Sequence, residues 1–589
     1  MGLMGNGGPA VPRRGLLGAG LLGIGVLGGV TAASGRASAA VGRRPAAEND
    51  EVVLLNGRIH TMDDADRVVR HVVIRGGRFA AVGDEMPVPG PGAAVVDLGG
   101  RTVIPGIVEA HDHVVSLANR VGYHTPIESA ATIREVQEIL AARRPGVPEG
   151  AFVTAMGGWH PNQFTDARRV PTRAELDAAV PDRPVMLFQQ FTGPAVVNSL
   201  GKAFLEGVRS PLAGPVAVAE DGVVTAGPAA TAALYHLRVR QTAEDRRRSA
   251  LDAMAFSASV GVTAHLDEVL FPTPGELRPN QALSNLDHYR MYDPWLALHR
   301  ERRTFVRLQT NFLHHQSDPA LTELRERLRN QFPFFGDDMM MTGAIGEWAA
   351  PIGAGPVWLE AQRLVAAARW RNENSVQTLD QLRQVVEAYE AMDREFGIRD
   401  LRWMVHHIPA ATPELLGRLK AIGCAVQCAA FRWVTAGPDA RDVGAPFRTV
   451  LDSGIKTGIH GDGVHIAPLN PFPHIHYATT GLNSYGAQVN AGQQLTRREA
   501  LRLFTRENAW FLRMEDRIGS IEPEKLADLL VLDRDVFAVP DEEVKRVRPV
   551  LTMVDGAVVH DTGALGAFRA RRREMDPARD ERGRWDRAT

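Results

Sequence analysis

The chain has 589 residues, 44% of them hydrophobic and 23% charged, which is ordinary globular usage and excludes wholesale disorder. Its 67 basic residues against 69 acidic ones leave a net charge of −2, so no general basic field recruits nucleic acid or an anionic membrane. Two cysteines exclude a disulfide scaffold and a cysteine-built zinc site, whereas 19 histidines supply ligands and proton carriers.

Pro12-Arg13-Arg14 precedes a Gly-rich apolar run over 15–30, followed by the small residues Ala37-Ser38-Ala39-Ala40. The run is shorter than the roughly 20 residues a bilayer span needs. Paired arginines before a weakly hydrophobic stretch resemble a twin-arginine export signal over residues 1–40. The expected location is the periplasm, the cell envelope or the exterior, with no membrane span in the mature protein.

Residues 52–55, the turn Asn56-Gly57 and residues 58–62 read as strand, turn and strand; 71–75, Gly76-Gly77 and 78–82 repeat the pattern. Near the other end, 527–532 reads as a strand and 551–560 as a hairpin around Asp555-Gly556. Isolated hairpins cannot bury a face alone. Residues 50–104 and 515–562 are therefore expected to pack as one composite β-sandwich, followed by a charged tail over 563–589. Between them, strands are predicted at 102–109, 261–266, 305–312, 343–347, 372–376, 401–406, 425–430 and 456–460. Helical patterns intervene: Leu379, Leu382, Val385, Val386, Tyr389 and Met392 form one apolar stripe, and Thr412-Pro413 opens a helix that Gly423 stops. This alternation predicts an α/β fold, a (β/α)8 TIM barrel over 105–514, with an insertion at about 120–250. Cys424 and Cys428 share one predicted strand and, at about 3.3 Å per residue, lie too far apart to bridge.

Polar residues gather at the predicted strand ends. Pro105-Gly106-Ile107-Val108-Glu109-Ala110-His111-Asp112-His113 puts two imidazoles two residues apart, the spacing that turns both to one side of a strand and lets them share a divalent cation. Gly461-Asp462-Gly463 follows the last strand with a carboxylate able to bind metal and shuttle a proton. His406-His407 ends the sixth strand and Glu347 the fourth.

These motifs, together with Asp516-Arg517-Ile518-Gly519-Ser520-Ile521, Gly157-Gly158-Trp159, Pro171-Thr172-Arg173 and Asn198-Ser199, resemble the amidohydrolase superfamily, and within it the YtcJ-like group that includes N-substituted formamide deformylases. The resemblance spans about residues 50–562. It implies a metal-dependent hydrolase of non-peptide C–N bonds in an amide, a substituted formamide or a cyclic amide. It assigns His111, His113, Asp462 and Glu347 to one divalent cation, zinc by ligand type, and catalysis to Asp462 and His407, with His406 the competitor for the latter position. Trp159, His160, His406, His460 and His465 are the expected substrate contacts. The family's strand-five histidine falls on Ser375, and no lysine occurs between Lys202 and Lys420 to bridge two ions, so one ion is expected rather than two. The same loss keeps a second class open: a metal-poor barrel that binds, isomerises or cyclises a small molecule. The expected partner is a small-molecule substrate; a homo-oligomer is compatible with the sequence.

Overall fold

The computed structural model describes residues 51–567 and 570, apart from 119, 190–192, 210–212, 271–290, 442 and 465. The expected export signal lies outside the described residues, as do His465 and most of the tail. In the structure the predicted first strand divides at Gly106 between two sheets, Thr102–Pro105 in one and Ile107–Asp112 in the other. The break is visible in the backbone: Gly106 N–H donates to Asp528 O at 3.0 Å, and Ile107 N–H to Gly261 O at 3.1 Å. A hydrophobic run long enough for one strand thus serves two, because its hydrogen-bonding partner changes midway.

The strand Thr102–Pro105 sits in a six-stranded sheet in which it pairs antiparallel with Leu529–Leu532, Val103 opposite Val531. A second, four-stranded sheet from the N-terminal side contains Val52–Leu55 and His71–Arg75. Val52, Leu54, Ile74 and Phe79 of this sheet share one buried cluster with Val103, Leu529, Val531 and Met553 of the other. Both ends of the chain are therefore joined by ladder hydrogen bonds and one apolar core.

Eight further strands follow in order: β1 Ile107–Asp112, β2 Val262–Leu270, β3 Arg307–Leu313, β4 Met340–Ile345, β5 Glu373–Ser375, β6 Met404–His406, β7 Ala425–Ala429 and β8 Thr457–His460. They form two parallel four-stranded sheets, β4-β3-β2-β1 and β5-β6-β7-β8. Single parallel bridges, Ile345 to Asn372 and Asp112 to Gly463, link the sheets at their two edges. Helices such as Leu379–Phe396, capped by Thr378, and Pro413–Ala421, capped by Thr412, lie between strands and bury apolar stripes in one large core. Between β1 and β2 the insertion carries its own five-stranded sheet, including Val153–Met156 and Val185–Phe188. Alternate residues of these strands enter different clusters, Val153, Ala155 and Leu187 on one face and Met156, Met186 and Phe188 on the other. Covered on both faces, they read as continuous hydrophobic runs.

The β1–β8 edge is bridged by a side chain. After the π-helical turn Leu503–Glu507, Asn508 Nδ2 donates to Val108 O and to Ile459 O, each at 2.7 Å. Its side-chain oxygen lies 2.0 Å from where a Cβ on Gly458 would be, so only glycine lets the amide enter. Asn508 is fully buried. Replacing it with alanine strands two buried carbonyls, each costing about 1–3 kcal/mol. Asn508→Ala is therefore expected to lower stability by roughly 2–4 kcal/mol, read as a reduced urea midpoint.

Candidate metal centre

β1 carries a bulge near its end. Glu109 pairs with His265 while Asp112 pairs with Asp267, so three steps on β1 match two on β2. Such a bulge re-aims the side chains beyond it, and His111 and His113 both reach the last strand's carboxylate. His113 Nε2 lies 3.1 Å and His111 Nε2 3.8 Å from Asp462 Oδ1; His407 Nε2 lies 3.5 Å from Asp462 Oδ2 and 3.9 Å from Glu347. His407 and Asp462 adopt left-handed backbone, φ 58° and 54°. Each such non-glycine residue costs about 1–3 kcal/mol and persists only where its surroundings over-determine it.

The hydrogen bonds set the tautomers. His113 Nδ1 is 2.9 Å from Glu268 O, which can only accept, so Nδ1 carries a hydrogen; Nε2 shares its own with Asp462, and losing that second hydrogen leaves Nε2 as the ligating nitrogen. His111 Nδ1 faces Glu268 Oε1 at 3.7 Å. Gln377 Nε2 donates to His407 Nδ1 at 3.1 Å, which leaves the neutral ring's hydrogen on Nε2. That nitrogen lies 3.1 Å from His111 Nε2. Below this layer His406 Nε2 meets Glu373 at 2.8 Å; Arg371 and Asn311 also hold Glu373, and Asn311 also donates to Glu268.

Burial dominates the electrostatics. It pushes Glu347 up to about 7, holds His407 down to about 4, and, helped by Glu373, lifts Glu268 well above the usual carboxyl range. Burial also opposes charge on His113, but the hydrogen bond to Asp462 and the nearby carboxylates carry it up to about 9. Asp462 moves down despite burial, because His113 hydrogen-bonds it and further imidazoles surround it.

The donor set fits a divalent cation. His111 Nδ1, both nitrogens of His460 and Glu268 Oε2 are buried without a hydrogen-bond partner. Three overlapping triads, His111/His113/Glu347, His111/His407/His460 and His111/Glu268/His406, each hold their donor atoms within 4.8 Å of one another. Imidazole and carboxylate are the ligands that zinc and related ions take.

Two expected substrate contacts stand apart from this cluster. Trp159 is fully buried in the insertion's core, its ring 6.0 Å from Phe164. His160 caps the turn Pro161–Gln163 by accepting from Asn162 N–H. Both lie near apolar or turn-forming sequence that gives them structural work. His406 is engaged with Glu373, and His460, ring centroids 4.6 Å from His111 and 5.0 Å from His407, belongs with the ligand candidates. Glu268 is the residue sequence reasoning missed. The predicted second strand stops at Leu266; the structure continues β2 to Leu270 and seats Glu268 against both β1 histidines. Acidic residues ending a buried strand were the available signal.

A family model described as an amidohydrolase family matches residues 94–560. N-substituted formamide deformylase of Arthrobacter pascens is 24% identical over 560 residues, 87% of this chain and 98% of that protein. The putative amidohydrolase YtcJ of Bacillus subtilis is 22% identical over 513 residues, 80% of this chain and 91% of that protein. An uncharacterized metal-dependent hydrolase of Pyrococcus horikoshii superposes with a TM-score of 0.54 at 18% identity, covering 84% of this chain and 99% of that one. Because Trp159 belongs to the insertion's core, Trp159→Ala is expected to cost about 3–5 kcal/mol of stability. Chemical denaturation checks this.

Proposed function

The chain belongs to the amidohydrolase family, as a YtcJ-like member, and from that premise we propose that it hydrolyses a non-peptide C–N bond in a small amide, substituted formamide or cyclic amide, using one zinc ion. The observation that carries this reading is the approach of Asp462, after β8, to His111 and His113, at the end of β1. In the proposal the two parallel sheets are a (β/α)8 barrel whose ladder is interrupted at two edges. The paired end sheets are a composite sandwich, and the signal directs twin-arginine export.

His111, His113 and Asp462, with Glu347, would hold the ion. When bound, zinc supplies Lewis acidity that acidifies water and polarises a carbonyl oxygen. Asp462 takes the proton of the attacking water and passes it to the leaving nitrogen. His407, whose hydrogen Gln377 directs to Nε2, donates to the developing oxyanion. Glu268 holds His113 in the ligating tautomer through its carbonyl.

Asp462→Ala should reduce turnover at least a thousandfold, on the scale of losing a catalytic group. A screen over N-acyl, formamide and cyclic amide compounds measures it, and unchanged turnover overturns the role. Removal of metal by a chelator should abolish hydrolysis, and zinc should restore it. A chelated enzyme that stays fully active supports a metal-free barrel instead.

A further inference from the structure

The Gly157-Gly158-Trp159 motif is not used by the proposed chemistry, yet it lies where the insertion meets the loop that follows Asp462. That loop holds two strained residues close together, Asp462 at φ 54° and Val464 at φ 86°. The barrel grips its start, with Gly461 N–H near the Glu109 carboxylate at 3.2 Å and Gly463 bridged to Asp112. The insertion grips the rest. Arg120 Nη2 donates to Val464 O at 3.1 Å. Glu128 accepts from Leu469 N–H at 2.5 Å and from Asn470 N–H at 3.4 Å.

Both gripping residues are buried, Arg120 at 7% and Glu128 at 5% exposure. Each is held from behind. Arg120 O accepts from Gln241 Nε2 at 2.8 Å and from Ser249 Oγ at 3.1 Å. A Cβ on Gly157 would lie 2.3 Å from Val464 O and 3.0 Å from Arg120 Nη2; one on Gly158 would lie 2.4 Å from the Glu128 carboxylate. The two glycines thus leave room for the carbonyl and the carboxylate that tie the loop down. Trp159, locked in the insertion's core, backs the pair.

We propose that Arg120 and Glu128 are positioning residues: by holding Val464, Leu469 and Asn470, the insertion fixes where Asp462 stands relative to the metal-holding histidines. This rests on the reading of Asp462 as a ligand and proton carrier. The backbone N–H groups of Leu469 and Asn470 need an acceptor, not a charge, so glutamine at position 128 preserves the grip and alanine removes it.

Zinc affinity, measured by chelator competition, and hydrogen exchange of the Val464, Leu469 and Asn470 amides are compared in the full-length wild-type protein and in Glu128→Ala, Glu128→Gln and Asp462→Asn. Glu128→Ala is expected to weaken zinc roughly ten- to a hundredfold, as loss of a supporting partner does. Exchange should speed at those amides, while exchange of the β2 and β3 amides stays as in the wild type. Glu128→Gln is expected to return affinity to within about threefold of wild type, a rescue that general destabilisation does not produce. Wild-type affinity in Glu128→Ala alongside weakened binding in Asp462→Asn overturns the inference and leaves the functional reading intact. Unchanged affinity in Asp462→Asn overturns the functional reading itself. If Glu128→Ala does not fold, Gly158→Ala, which crowds the same carboxylate, is expected to lower affinity in the same direction, and wild-type affinity there also overturns the inference.

Discussion

One carboxylate faces three imidazoles in a site that is almost wholly buried. Asp462 lies within 3.1–3.8 Å of His113, His407 and His111, and all four residues are buried. At such distances and low dielectric, each charge state of one group sets the charge state of its neighbours. The surrounding structure can be read as the apparatus that tolerates this crowding. A bulge turns β1, left-handed backbone turns Asp462 and His407, and a main-chain carbonyl settles the tautomer of His113.

Those strained positions draw their support from elsewhere in the chain. Asn508 replaces missing ladder hydrogen bonds between β1 and β8, the two strands whose ends must meet for Asp462 to reach the histidines. The paired end sheets join the first and last thirds of the sequence through Val103 and Val531. A further polar layer of Glu268, Asn311, Glu373, Arg371 and His406 lies beneath the site, tied together by hydrogen bonds that leave Glu268 Oε2 and His406 Nδ1 without partners. Half-satisfied polar cores are costly, and the unpartnered nitrogens of His111 and His460 and the unpartnered oxygen of Glu268 lie where a cation would take them up.

Much of the architecture was legible because it follows short-range rules. The strand readings marked β3 to β8 to within a few residues, and the capping residue Thr412 marked a helix start where the structure has it. The hairpins over 71–82 and 551–560 were also visible as strand, turn and strand, whereas the expected hairpin around Asn56-Gly57 is not formed: 52–55 and 58–60 pair into different sheets, because each finds its ladder partner far away in sequence. Misreadings arose where partners at long range decide. The run over 102–109 has one hydrophobic pattern but two hydrogen-bonding partners. Trp159 was expected to contact substrate, while in the structure it shares a buried cluster with Ile127, Phe164 and Leu187, scattered over sixty residues. Glu268 fell outside the predicted strand because its burial depends on strands that lie far away in sequence.

From the order of residues alone came the alternation of strands and helices, the pairing of His111 with His113, and the carboxylate at Asp462, since period-two geometry and strand-end position are local properties. Only the folded chain decided which histidines share that carboxylate, that Glu268 stands behind them, and that the insertion holds the loop beyond Asp462. Those are contacts across hundreds of residues, and their energies depend on burial and distance, which no local pattern of side chains encodes.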